Sequence, residues 1–251
     1  MPDELRVIPL PGMPEISPGD DLARLIGDAI EQRGAGLKDG DVLVVAQKVV
    51  SKAEGALVRL SEVVPSTLAE TFAALYDKDA RHVEVVLREA RRVVRMERGV
   101  LIVETRHGFV CANAGVDTSN VEGEDVLSLL PVDADASARG LRAALEQRFG
   151  VRLAVVISDT FGRPWREGQT NIAIGVAGMQ PLHSYVGQPD DYGYEMRVTA
   201  LCVADEIAGA AELVQGKVAR VPVAIVRGAE YEPGEGTSGE IVRPPERDLF
   251  R

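Results

Sequence analysis

Short apolar runs alternate with polar clusters along this chain, and the period of the alternation changes several times. Residues 151–157, VRLAVVI, read as a buried strand, and a second apolar run at 172–177 reads as another. Between them lie Ser158, Asp159, Thr160, Arg163, Arg166, Glu167, Gln169, Thr170 and Asn171, interrupted by Gly162 and Pro164. The pattern predicts a polar loop between two core strands, a position where a rigid scaffold often holds binding and catalytic residues. Upstream, residues 6–10 are a strand candidate, and Pro11, Gly12 and Pro14 then force an irregular loop. Asp20 or Asp21 caps a helix to about Gln32, with Leu22, Leu25, Ile26, Ala29 and Ile30 on one face and Gly34 and Gly36 at its end. Residues 41–45 are a β-rich strand. Residues 47–55 are read as its extension, which would put Lys48 and Lys52 on one face.

Helices are predicted over 67–75 and from Asp79 onward, the second with Val83, Val86, Leu87, Ala90 and Val93 at helical spacing. Residues 99–104 and 109–112 read as a hairpin with His107 at its tip. Its second strand runs into a polar cluster holding Asn113, Asp117, Ser119 and Asn120. An amphipathic helix over 134–148 closes at Gly150. A turn-rich stretch at 183–195 precedes a long helix from about Arg197 to Val214, which Gln215, Gly216 and Lys217 terminate. Residues 221–226 are a strand. The Gly-, Pro- and charge-rich tail from Gly228 is expected to pack loosely or against a partner.

The chain has 251 residues, of which 45% are hydrophobic, so a sizeable core is expected in one large domain or two small ones. A net charge of −11 and a pI of about 4.9 argue against a general nucleic-acid surface. They leave an anionic small molecule open, because local charge decides that. Cys111 and Cys202 lie in apolar surroundings without metal-type spacing and are read as two buried thiols in a reducing compartment. Three scattered histidines argue against a zinc site. The N-terminal MPDELRVIPLPG lacks a basic region followed by a long apolar segment, and no apolar run approaches the roughly 20 residues of a membrane span. A soluble cytoplasmic protein with no membrane partner is expected.

The residue types limit the chemistry. Asp159 at a strand end, beside the Thr160 hydroxyl, is a good hard-cation ligand set. Asp117 is a second strand-end carboxylate, and the two together could share a divalent cation and present it to a polyphosphate. Arg163, Arg166, Lys48 and Lys52 suit phosphate or carboxylate. A simpler reading stays open, in which the Asp and Thr cap turns and the basic residues are solvated. No GxxxxGK[ST] segment exists, so a standard phosphate-loop fold is not supported.

Several motifs in order carry a more specific resemblance. They are LPGMP at 10–14, QKVVSKAEG at 47–55, NAGVDTSN at 113–120, SDTFGRPWREG at 158–168, ADEI at 204–207 and VQGK at 214–217. Over essentially its whole length the chain resembles the ligases that add γ-linked glutamate to the deazaflavin coenzyme F420 precursor. The resemblance implies a single ligase domain over residues 1–251 with an α+β fold. Two intertwined parts with mixed and antiparallel sheets are implied, rather than a P-loop or Rossmann fold, and so is a homodimer. The implied activity is GTP-dependent: phosphorylation of the terminal carboxylate of F420-0, then attack by L-glutamate on the acyl phosphate, with further glutamates to follow. Mg2+ or Mn2+ is implied, as two ions, with potassium as a further candidate.

By the resemblance, Asp117 and Asp159 match the metal carboxylates, with Thr160 beside a second ion. Met13, Pro14, Glu15, Ile16, Gln47, Lys48, Lys52 and Asn120 match GTP contacts. So does the closing loop of Gln215, Gly216, Lys217, Val218, Ala219, Arg220 and Val221. Lys217 stands where some relatives carry an acidic residue. His183, Ser184 and Tyr194 depart from the acidic and arginine residues common nearby in relatives. Arg163 and Arg166 are candidates, from charge alone, for the acidic co-substrate. Two other classes remain open. A metal-dependent phosphatase with Asp159 as nucleophile wants a carboxylate two positions on, where Phe161 stands. A non-catalytic nucleotide- or deazaflavin-binding protein would not need the metal-type carboxylates.

Overall fold

The computed structural model describes residues 4–118 and 125–249. In chain order the elements are β1 (Arg6–Pro9), α1 (Leu22–Arg33), β2 (Val42–Ala46), α2 (Gln47–Ala53), β3 (Leu57–Arg59), α3 (Thr67–Tyr76), α4 (Ala80–Glu89), β4 (Ala90–Glu97), β5 (Val100–Thr105) and β6 (Val110–Ala112). There follow β7 (Val126–Ser128), α5 (Ala134–Phe149), β8 (Ala154–Arg163), β9 (Arg166–Ala177), β10 (His183–Ser184), β11 (Ala200–Leu201), α6 (Val203–Gln215) and β12 (Val223–Arg227). The class is α+β. A five-stranded sheet runs in the order β1-β12-β2-β8-β9, and β4-β5-β6, β3-β7 and β10-β11 form smaller sheets. Only β2 and β8 pair in parallel; the other named pairs are antiparallel. No helix among the described residues is long and apolar enough to cross a membrane.

Within the sheet the central strands are apolar through residues 42–46, 154–157 and 223–226, because both faces are covered there. Leu43, Val45, Val155, Ile157 and Ile225 face a core shared with Ile26 and Ile30 of α1 and Leu141 and Leu145 of α5. Val42, Val44, Ala154, Val156, Ala224 and Val226 face Ala204, Ile207, Ala208 and Ala211 of α6. A separate apolar cluster gathers Phe72, Val83, Val86, Leu101, Val103 and Leu127 from α3, α4, β5 and β7. α1 begins and ends on local chemistry: the Asp21 carboxylate accepts from the Arg24 N–H at 2.9 Å, and Gly34 closes the helix in the left-handed region. Gly175 of β9 lies under the start of α5, where an added Cβ would come within 2.5 Å of the Ala134 carbonyl oxygen.

Six expectations are corrected. Residues 47–53 are helical rather than an extension of β2, because Gln47, Val50 and Ser51 bury one helical face and Gln47 Nε2 and Ser51 Oγ both donate to the Leu129 carbonyl. Lys48 and Lys52 still share a face, now through i,i+4 spacing. The second predicted helix ends at Glu89; Ala90 and Val93 belong to β4, where pairing with β5 overrides their helical spacing. The polar loop is instead an antiparallel ribbon that continues β8 and β9 beyond the sheet, with register shifts at Ile157/Ser158 and Gly162/Arg163. The helix expected from Arg197 begins at Val203, because the preceding residues pair back on the 183–188 stretch. The tail packs on its own chain. Ser238 is buried and held by Asp135, and Tyr231, Ile241 and Val242 lean on the two main cores. Of the two thiols, Cys111 is buried and Cys202 half-buried.

Candidate active site

β2 and β8 run parallel, and β2 ends at Ala46 opposite Ser158, beyond which β8 continues with β9 alone. Ligands bind preferentially in the crevice beyond such strand ends. Here a cavity of about 770 Å³ opens, within the usual size of small-molecule sites.

Most of the residues singled out by sequence line this cavity. The first loop brings Met13, Pro14, Glu15 and Ile16, and α2 brings Gln47, Lys48 and Lys52. The end of α6 brings Gln215 and the loop after it brings Gly216, Lys217, Val218, Arg220 and Val221, while Ala219 is off the lining. Asp117, Asp159 and Thr160 are on the wall. Asn120 lies outside the described residues. Arg163 and Arg166 flank the exposed turn of the ribbon, off the lining, and Arg163 donates to the Glu167 carbonyl at 2.9 Å. The sequence pattern did not mark Cys111, Gly115 or Glu212, which also line the cavity. Glu212 had one available signal, its place one helical turn before Gln215 on α6.

The charges are paired across the cavity. Lys48 Nζ lies 2.7 Å from Asp117 Oδ2. Asp117 is itself fixed by reciprocal backbone bonds with Ser128, at 3.1 and 2.9 Å. Lys52 is only 7% exposed, which a lysine tolerates only when paired, and its partner is Glu15. Arg220 takes the other oxygen of Glu15 at 3.1 Å. Lys52 foremost, with Arg220 behind it, holds the Glu15 carboxyl below the ordinary range. Burial pushes Asp159 up to about 6, against the pull of the Thr160 N–H and of Lys217 and Lys48; Asp117 adds to the push. Burial, and then the Asp159 carboxylate, pushes the Cys111 thiol up to about 12, so at neutral pH it is no thiolate nucleophile.

Three buried polar atoms on the cavity residues have no hydrogen-bond partner among the described residues: Gln47 Oε1, Ser158 Oγ and Gln215 Oε1. The amide nitrogens are engaged, Gln47 Nε2 with Leu129 O at 3.0 Å and Gln215 Nε2 with Pro222 O at 3.1 Å. Buried acceptors left open beside a cavity are where a ligand donor or water belongs. Strain collects on the same wall. Asn113, Ala114 and Gly115 are consecutively left-handed, with φ of 53°, 55° and 69°. For non-glycine residues this costs on the order of 1 kcal/mol each.

The donors suit a hard divalent cation. Two carboxylates and a hydroxyl are oxygen ligands, and the Lys48 ammonium at Asp117 marks a point where positive charge is already favoured. Among the described residues no cluster of three or more His, Cys, Asp or Glu residues forms a metal-ligating group, so an ion bound here would have to complete its shell with water or phosphate oxygens.

The comparisons with known proteins point one way. A protein-family model described as F420-0:Gamma-glutamyl ligase matches residues 12–228. A Methanopyrus kandleri protein named coenzyme F420:L-glutamate ligase is 46% identical over 252 residues, spanning 98% of each chain. Its namesake from Methanothermobacter thermautotrophicus is 43% identical over 250 residues, spanning 98% of this chain and 99% of its own. That from Archaeoglobus fulgidus is 43% identical over 248 residues, spanning 98% and 96%.

Proposed function

The chain belongs to the F420-0:gamma-glutamyl ligase family, and from that premise we propose that it joins L-glutamate to coenzyme F420-0 by a γ-linkage, with GTP as the energy source. The observation that carries this reading is the set of opposed charges lining one cavity: Asp117 and Asp159 with Lys48 and Lys217. Phosphoryl transfer requires positioning and charge neutralisation more than a protein nucleophile. Cys111, kept protonated by its surroundings, fits that requirement.

In the first step a terminal carboxylate oxygen of F420-0 attacks the γ-phosphorus of GTP, and GDP leaves. In the second the glutamate amine attacks the acyl-phosphate carbonyl carbon, the amine loses a proton, and inorganic phosphate leaves with the C–O bond electrons. Asp117 and Asp159 would hold Mg2+ or Mn2+, which when bound neutralises charge on the phosphates. Lys48, Lys52 and Arg220 meet phosphate oxygens, with Glu15 yielding its two cationic partners as the nucleotide enters. The open Gln47, Ser158 and Gln215 oxygens accept from nucleotide or water donors. Arg163 and Arg166, exposed beyond the lining, are assigned to the acidic end of the acceptor.

The test is phosphate release from GTP, measured with each component left out in turn. Release that requires both F420-0 and glutamate supports the ligase. Release that persists without either assigns the site to simple hydrolysis instead.

A further inference from the structure

Thr160 takes part in a chain of hydrogen bonds that can run in only one direction. An ammonium group only donates, so the contact of Lys217 Nζ with Thr160 Oγ1 uses the hydroxyl as acceptor. The hydroxyl proton then goes to Asn171 Oδ1, at 2.6 Å, and Asn171 Nδ2 donates to Glu212 Oε2 at 2.9 Å. Glu212 accepts only, so it sets which way the amide points, and the amide sets which way the hydroxyl points. The relay begins at a positive charge and ends at a negative one.

The backbone holds this arrangement in place. Thr160 and Asn171 are direct cross-strand partners on the β8–β9 ribbon. Successive residues of a strand face opposite ways, so Thr160 is turned from the side taken by Asp159 and Phe161. Thr160 directs its hydroxyl to Asn171 and Lys217, whereas Asp159 lies close enough to the Cys111 thiol to raise its pKa. A divalent ion bonding Thr160 Oγ1 would have to use the remaining lone pair of the hydroxyl and would sit against the Lys217 ammonium, where the two positive charges repel.

We propose that Lys217 supplies the second positive charge of this site in place of a second divalent ion, so that the chain holds one divalent ion, at Asp117 and Asp159, alongside the fixed ammonium. This rests on the reading of the site as metal- and nucleotide-dependent, and departs from the two ions that the family resemblance implied. The Lys217 ammonium then faces the phosphate oxygens of the bound nucleotide, balanced through the relay by Glu212.

The experiment is a count of manganese per chain by equilibrium dialysis, with the protein saturated with GDP and the metal carried by free nucleotide subtracted. The native protein is expected to hold one Mn2+ and the Lys217→Glu variant two, because a carboxylate beside Thr160 completes a second oxygen set. Lys217 is exposed on its loop, so the variant is expected to fold, and a thermal melt checks this. Two ions in the native protein, or one in Lys217→Glu, overturns the proposal while leaving the metal-dependent reading standing. No manganese in either protein overturns that reading, and the proposal with it.

Discussion

Lys48 Nζ lies 2.7 Å from Asp117 Oδ2, so the first turn of α2 is tied across the cavity to the segment that follows β6. The pair places an ammonium on a carboxylate assigned to metal. A divalent ion arriving without nucleotide has to displace it. Lys48→Met keeps the apolar stem and removes the competitor. A partly exposed pair is worth up to about 1 kcal/mol, so Mn2+ binding to the nucleotide-free variant should tighten by about fivefold. Turnover should fall by at least about tenfold through the lost phosphate contact. Calorimetry and steady-state kinetics give the two numbers, and weaker Mn2+ binding in the variant would count against the assignment of Asp117.

Asp159→Asn keeps the shape of the side chain and removes its charge. Loss of a key electrostatic group in phosphoryl transfer costs on the order of 100-fold or more in turnover. The variant should lose at least that much while its thermal melt stays near that of the native protein. Near-normal turnover would remove Asp159 from the metal site.

The same residue sets a pH dependence. Burial raises the Asp159 carboxyl to about 6 in the metal-free protein. Metal needs the carboxylate, so below that value a proton competes, and affinity should fall by about tenfold per pH unit. Above it the proton-linked part of the affinity should be flat. The folded protein holds this proton more tightly than the unfolded chain. Between about pH 4 and 6, therefore, the folded state carries more protons, and the contribution of Asp159 to metal-free stability rises as pH falls. Calorimetric metal titrations from pH 5 to 8 should show the break in the native protein and lose it in Asp159→Asn.

Two structural variants test how the scaffold is held. Asp135, in the first turn of α5, accepts from Val176 N at 2.7 Å and from Ser238 N at 3.0 Å, joining sheet, helix and tail. Asp135→Ala leaves both backbone donors without this partner, at roughly 1–3 kcal/mol each. A melting temperature lower by on the order of 10 °C is expected. Gly175→Ala forces a Cβ against the Ala134 carbonyl and should cost about 1–3 kcal/mol. An unchanged melt for either variant would contradict the packing described.

What the chain made legible was local. α1, with Asp21 before it and Gly34 after it, and α5, ending at Gly150, carry their caps in the sequence, and the apolar run leading into β8 needs no partner to be recognised. The switch from β2 to α2 was hidden because Val49 and Val50 favour strand by type. The helix is set by Gln47 and Ser51 reaching Leu129, some eighty positions away. β4 was hidden likewise, since its pairing with β5 outweighs the helical spacing of Ala90 and Val93. At the site, Asp117, Asp159, Lys48 and Lys52 were marked by their places at or near strand ends. Glu212 was not, because its role passes through Asn171, which meets Thr160 only once the ribbon has formed.

The most direct measurement is mass spectrometry of F420-0 after incubation with the protein, L-glutamate, GTP and Mg2+ or Mn2+. A mass increase of one or more glutamyl units, absent when GTP is omitted, is the predicted result, and the ladder also reports how many are added. An unchanged F420-0 mass, with folded protein that binds GTP, would contradict the ligase assignment.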